Sequence, residues 1–289
     1  MTEDNSFVFI EEVSPRDGLQ NQSAILPVHQ RIELIQSLVG AGLCRIQIGA
    51  FVNPKVVPQM ADSDLVWKGL DHECKDVQYS VLVLNERGLE TALGLGVRLI
   101  EIYVSASETH SQRNSRVGTE RALKEAVAII NRAVSSGVSV TAGVMCALGC
   151  FFEGPISEDR VCEMVKILAG SGASAIGLAD TTGMGIPNSV ISLIDKVSVI
   201  VAPDIISLHL HDTHGHGLSN IQAGLDSGIR RFDASLRGLG GCPFIPGAAG
   251  NVATEKLVRL VEALGFKTGV NLERLETAAS ILTDLKGSS

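Results

Sequence analysis

The chain has 289 residues, a formal net charge of −8 and no Lys/Arg-dense block interleaved with aromatics, which argues against a nucleic-acid surface and for a small-molecule partner. Hydrophobic residues at 45% and 30 glycines provide a large core and many tight turns, and aromatics at 4% predict an aliphatic core. No apolar run reaches the ~20 residues of a membrane span, and the acidic start Met1–Ser6 resembles neither a secretory signal nor an Arg-rich transit peptide. The six cysteines, Cys44, Cys74, Cys146, Cys150, Cys162 and Cys242, include no C-x-x-C pair. They read as thiols of a reducing compartment, several of them buried as small hydrophobes, and the expected location is the cytoplasm.

Short β-rich runs recur along the chain. They are Phe7 to Val13, Cys44 to Ile48, Gln78 to Leu84, Leu99 to Val104, Ser139 to Met145, Ala175 to Leu178, Ile206 to Leu210 and Arg231 to Leu236. Between them, Val28 to Val39, Thr119 to Val134, Ser157 to Ala169 and Pro187 to Val199 carry the i, i+3, i+4, i+7 apolar spacing of amphipathic helices, and Gly40, Gly137 and Gly172 follow several of them as stop signals. Eight strand–helix units with near-continuous apolar strands predict a parallel sheet covered by helices, closed into a (β/α)8 TIM barrel. An open doubly wound sheet is the alternative. It would favour a glycine-rich turn after the first strand, and the turn there, Ser14-Pro15-Arg16-Asp17-Gly18-Leu19-Gln20-Asn21, is polar and charged. With no linker or low-complexity tract, residues 1–289 read as one domain, with C-terminal helical and strand additions after about 240.

His209-Leu210-His211-Asp212 ends the seventh strand. Alternate residues of a strand share a face, so the two imidazoles point the same way, as metal ligands do or as a polar pair at a strand end does. Oxygen donors for a divalent ion would come from Asp17 and Asn251. The ends of the other strands supply Arg16, Gln47, Ser105, Glu108, Asp180 and Thr181, all at the rim where barrel enzymes place their active sites.

The chain resembles the 3-hydroxy-3-methylglutaryl-CoA lyases of the DRE-TIM metallolyases. The resemblance rests on Pro15-Arg16-Asp17-Gly18-Leu19-Gln20-Asn21, on Phe51 to Met60, on Cys146-Ala147-Leu148-Gly149-Cys150, on Asp180-Thr181, on His209-x-His211-Asp212-Thr213, on Gly238-Leu239-Gly240-Gly241-Cys242-Pro243, and on Gly250-Asn251-Val252-Ala253-Thr254-Glu255 with Gly269-Val270-Asn271-Leu272. It implies that Asp17, His209, His211 and Asn251 hold one Mg²⁺ or Mn²⁺, a hard cation that chelates substrate oxygens. It implies that Arg16 stabilises an enolate, that Cys242 is a lid thiol assisting proton transfer, and that Asp180 is an acid–base or supporting carboxylate, for which a helix cap is the plain alternative. The resemblance also places Gln47, Thr181 and Asn114, the last with Arg113, where the substrate is contacted. The implied reaction is a retro-Claisen cleavage to acetyl-CoA and acetoacetate, a step associated with leucine catabolism. The implied partner is an acyl-CoA, and a helix-rich surface is compatible with a homodimer. His214 and His216 do not match the family pattern and read as solvated or capping residues.

The chain also departs from that pattern. Gln47 stands at the place of the superfamily's strand-two acid, Ser23 at that of a lysine, Ala50 of a serine, Thr141 and Gly143 of an arginine and a tyrosine, and Gly177 of a serine. A glycine for a tyrosine is expected to open space for a bulkier or less polar acyl group. The alternatives to a methylglutaryl-CoA lyase are therefore a related metal-dependent lyase or aldolase on another 3-hydroxyacyl substrate, and a non-catalytic metal-binding homologue.

Overall fold

The computed structural model describes residues 6–74, 76–241 and 249–282. Eight strands, β1 (Phe9–Glu12), β2 (Arg45–Phe51), β3 (Gln78–Val83), β4 (Leu99–Ser105), β5 (Ser139–Met145), β6 (Ala175–Asp180), β7 (Ile206–Leu210) and β8 (Arg231–Ala234), form a closed parallel barrel. β1 pairs with β8 over four residues, from Phe9 with Arg231 to Glu12 with Ala234, so the sheet has no free edge and the open alternative is excluded. The strands fall where hydrophobic runs predicted them, with shifted ends. β2 continues three residues past Ile48, because a register shift between Gln47 and Gly49 lets the strand bend and keep pairing with β3.

Helices follow the strands: α1 (Val28–Gly40), α2 (Ser63–Lys68), α3 (Glu86–Gly94), α4 (Glu108–Ser115), α5 (Thr119–Ser135), α6 (Glu158–Gly170), α7 (Pro187–Val197), α8 (Gly217–Asp226) and α9 (Thr254–Ala263), with α10 (Leu272–Ile281) beyond the barrel; α1, α5, α6 and α7 are the four segments that periodicity predicted. α1 shows how the layer is built. Leu34, Ile35 and Leu38, at helical spacing, are fully buried against the outer face of the strands, each contributing about 1.5–3 kcal/mol by leaving water. α10 is tied back to α1 by the Asn271 N–H on the Ala41 carbonyl at 2.7 Å and by Arg274 Nη1 on the Gly40 carbonyl at 3.0 Å.

The expectation of an aliphatic core holds between strands and helices but not inside the barrel. There, Arg45 pairs with Glu11 at 3.2 Å, and the Ser80 hydroxyl lies 2.7 Å from Glu11 Oε1 and 2.5 Å from Glu101 Oε1. A hydroxyl has one proton to give, so the second short contact needs a protonated carboxyl. Burial, together with Glu11 and Asp233, pushes Glu101 well above the ordinary carboxylate range and makes it that acid. Apolar composition says nothing of which polar residues find partners across the barrel.

Candidate active site

Asp17 is presented by one wide helical turn, Ser14–Gly18, immediately after β1, in which the N–H groups of Arg16, Asp17 and Gly18 converge on the Val13 carbonyl at 3.1, 2.7 and 3.2 Å. The turn puts consecutive charges side by side. Arg16 Nη1 is 2.5 Å from Asp17 Oδ1, both side chains are about one-tenth exposed, and Arg16 Nε donates to Gln47 Oε1 on β2. The guanidinium is thus locked between an acid and an amide, as a fixed cation rather than a surface ion pair. The Gln47 amide nitrogen is buried without a partner among the described residues.

The two histidines of β7 share the inward face, as alternation requires, and their Nε2 atoms stand 3.2 Å apart. His209 Nδ1 lies 3.1 Å from Asp233 Oδ2, in register on the neighbouring strand β8. Beside that carboxylate Nδ1 is the donor, and the ring turns Nε2 toward His211. Burial works to lower His209, but the Asp233 hydrogen bond and charge hold it above its ordinary value. Burial and the adjacent His209 push His211 down to about 4, so it is a neutral imidazole near pH 7. Burial works to raise Asp17, yet Arg16, both histidines and the Asn251 amide bring it to about 2, an ionised carboxylate.

Asn251 reaches the cluster on a segment laid between the ends of β7 and β8. The Asp212 N–H donates to the Gly250 carbonyl at 2.9 Å, the Val252 N–H to the Leu210 carbonyl at 3.2 Å and the Ser235 N–H to the Val252 carbonyl at 3.1 Å. Asn251 Nδ2 then lies 2.7 Å from Asp17 Oδ2. A Cβ at position 250 would stand 1.6 Å from the Gly240 carbonyl oxygen, so only glycine lets the two loops pass.

One ligand atom each from Asp17, His209 and His211 lie within 4.8 Å of one another, all buried. Adjacent ligands of an octahedral divalent ion with bonds of about 2.1 Å stand about 3 Å apart, which is the spacing of the two Nε2 atoms. Two imidazole nitrogens, an ionised carboxylate and an amide make a donor set that fits such an ion.

The remaining predicted residues divide. Asp180 ends β6 fully buried; Oδ2 accepts the Gly185 N–H at 3.0 Å and Oδ1 has no partner among the described residues. It caps a loop turn and not α7, and burial pushes it up to about 6. The Thr181 hydroxyl accepts the Cys146 N–H at 2.9 Å, bracing the left-handed turn at Cys146 (φ 56°). Asn114 is exposed on α4, outside the buried cluster, and His214 and His216 are exposed in the loop after β7. Cys242 lies outside the described residues. The space expected over Gly143 is occupied: a Cβ there would meet ring carbons of Tyr103 at 2.1 and 2.3 Å.

Three residues escaped sequence reasoning. Asp233 could have been suspected as an acid in an apolar strand. Tyr103 looked like any strand aromatic. Glu12, just before the Asp17 turn, accepts the Ser14 N–H at 3.0 Å, the Leu236 N–H at 2.9 Å and the Thr254 hydroxyl at 2.6 Å, so one carboxyl staples the β1 turn to the β8 loop and to the start of α9, three residues past Asn251.

A (β/α)8 barrel with a buried Asp–His–His cluster and a clamped arginine at the C-terminal mouth defines a barrel lyase with a candidate metal centre. The chain belongs to the HMGL-like family, which matches residues 8–282. It is 40% identical over 276 residues to a human protein named 3-hydroxy-3-methylglutaryl-CoA lyase, cytoplasmic, covering 96% of this chain and 74% of the relative. It is 41% identical over 275 residues to the mitochondrial hydroxymethylglutaryl-CoA lyase of Macaca fascicularis, covering 95% and 84%. Among solved structures, the hydroxymethylglutaryl-CoA lyase of Pseudomonas aeruginosa superposes with a TM-score of 0.94 at 38% identity, covering 98% of this chain and 94% of that one. An HMG-CoA lyase from Acinetobacter baumannii in complex with coenzyme A and 3-methylmalate gives 0.93 at 37%, covering 99% and 93%.

Proposed function

We propose that the protein cleaves 3-hydroxy-3-methylglutaryl-CoA to acetyl-CoA and acetoacetate by a metal-dependent retro-Claisen reaction. The observation that carries this reading is the buried cluster of Asp17, His209 and His211 beside a fixed Arg16, in a chain about 40% identical to named lyases of that substrate. The catalytic unit in this reading is one barrel domain, 1–289, with C-terminal additions after about 240, among them α9 and α10. An acyl-CoA partner and a cytoplasmic setting go with the reading; among the described residues no helix is long and apolar enough to cross a membrane.

Asp17, His209, His211 and Asn251 would hold Mg²⁺ or Mn²⁺. When bound, such an ion supplies Lewis acidity that makes the substrate's C3 hydroxyl easier to deprotonate. Arg16 opposes the negative charge that develops on the thioester oxygen as the C2–C3 bond breaks, and Gln47 and Asp17 hold it in place for that purpose. Asp233 fixes the ring of His209. Asp180 keeps a buried oxygen, Oδ1, able to take up a proton, with its carboxyl poised at about 6. The proton that converts the enolate to acetyl-CoA is assigned to Cys242 or a neighbouring histidine. Thr181 and Asn114 complete the substrate contacts in this reading.

The test is acetyl-CoA release from methylglutaryl-CoA by the purified protein with Mg²⁺ or Mn²⁺ against chelator. Metal-dependent release supports the reading. No release with either ion, by a protein that binds the ion, refutes it.

A further inference from the structure

Tyr103 on β4, Gly143 on β5 and Gly177 on β6 are neighbours in register, one residue from each of three adjacent strands. The tyrosine side chain lies across both glycines. A Cβ at Gly143 would meet three ring carbons at 2.1, 2.3 and 2.8 Å, and one at Gly177 would meet the phenol oxygen at 2.7 Å. No real Cβ tolerates such contacts, so the ring position exists only because both neighbours are glycine. The same row continues to Ser207 on β7, and His209 lies two residues further along that strand on the same face. The phenol therefore shares the barrel interior with the histidines, close enough to Arg16 and Asp233 for their charges to act on it. Its oxygen makes no hydrogen bond among the described residues, and the side chain is only half-buried, so it borders open space. The charged groups that act on it are Asp233, Glu101 and Glu11, with Arg16 opposing. Burial and those acids hold its proton firmly, which leaves the hydroxyl a donor.

We propose that Tyr103 is a specificity-determining residue of this site: its ring plugs the space over Gly143 and Gly177 and limits the C3 branch of a 3-hydroxyacyl thioester to about the size of a methyl group, while its hydroxyl donates a hydrogen bond to the acyl portion. This rests on the lyase reading above, and it reverses the expectation that Gly143 enlarges the pocket.

The experiment compares the wild type, Tyr103→Ala, Tyr103→Phe and Gly143→Ala, each loaded with Mn²⁺. Substrates are 3-hydroxy-3-methylglutaryl-CoA and its 3-butyl homologue. Calorimetry with the matching non-cleavable thioethers gives a readout besides turnover. Thermal unfolding and Mn²⁺ titration select variants that remain folded with an intact centre. The expected wild type prefers the methyl compound. Tyr103→Ala shifts the kcat/KM ratio toward the butyl compound by at least ~10-fold, of the order a few methylenes command in an apolar pocket, and the thioether affinities shift likewise. Gly143→Ala, which displaces the ring, also shifts the ratio. Tyr103→Phe leaves the ratio within about twofold and weakens both ligands by roughly 5- to 10-fold, as loss of one hydrogen bond requires. An unchanged ratio in folded, metal-binding Tyr103→Ala overturns the assignment while the lyase reading stands. A wild type that cleaves neither compound overturns the lyase reading itself, and the assignment with it.

Discussion

Replacing Glu12 by Gln should make the fold insensitive to a titration that otherwise weakens it as pH rises. The Glu12 carboxyl is fully buried, and burial pushes it from 4.5 up to about 7 against the opposing hydrogen bonds from Thr254, Ser14 and Leu236. At about 1.4 kcal/mol per pH unit, ionising it in the folded state costs roughly 3 kcal/mol more than in the unfolded chain. The folded state therefore binds the extra proton between about pH 4.5 and 7, so stability is fully present below that window and falls as pH rises through it. Glutamine keeps an oxygen for the N–H groups of Ser14 and Leu236 and offers its amine to the Thr254 hydroxyl, which can accept, and it does not titrate. Urea unfolding of both proteins at pH 5, 6, 7 and 8 should show the stability difference moving toward Glu12→Gln by about 2–3 kcal/mol across the series. A difference that stays flat, or moves toward the wild type, refutes the reasoning. Glu12→Ala serves as a contrast. It strands two buried N–H groups and should lose about 2–6 kcal/mol at every pH.

The remaining predictions concern the metal centre and its clamp. Removing the His209 partner by Asp233→Ala should raise the Mn²⁺ dissociation constant about 10- to 100-fold in calorimetric titration, and an unchanged constant would show that the ring needs no support. Mn²⁺ at about 100 times its dissociation constant should stabilise the protein by about 2.7 kcal/mol, seen as a rise in Tm that chelator reverses and that His211→Ala abolishes. Gln47→Leu takes away the acceptor of Arg16 Nε and should lower kcat about 10- to 100-fold with little change in KM, because the guanidinium acts on charge that develops only as the bond breaks; a pure KM effect would place Arg16 in ground-state binding.

Much of the architecture was legible from local pattern. Eight hydrophobic runs became eight strands, and the polar turn at Arg16 and Asp17, in place of a glycine-rich one, pointed to the barrel that the β1–β8 pairing closes. His209 and His211 could be placed on one face because strand alternation has a period of two, and the structure sets their Nε2 atoms 3.2 Å apart. The assembly of the centre was legible only through family resemblance, since Asp17 and Asn251 are 234 positions apart and meet at 2.7 Å through two loops that pass because Gly250 has no side chain.

What the sequence by itself determined is the order of elements and the side of each strand on which a residue falls, because backbone sterics and hydrophobic periodicity act over a few neighbouring residues. What stands opposite an inward-facing residue was decided only when the barrel closed. Asp233 meets His209 through the β7–β8 register, Glu12 gathers donors from Ser14, Leu236 and Thr254, and the gap at Gly143 is filled by Tyr103 from the adjoining strand. A glycine reads alone as empty space, but interiors pack to crystal-like density and a neighbouring ring fills what it leaves. Cross-barrel partners depend on register and closure, and neither is written in any local stretch of the chain.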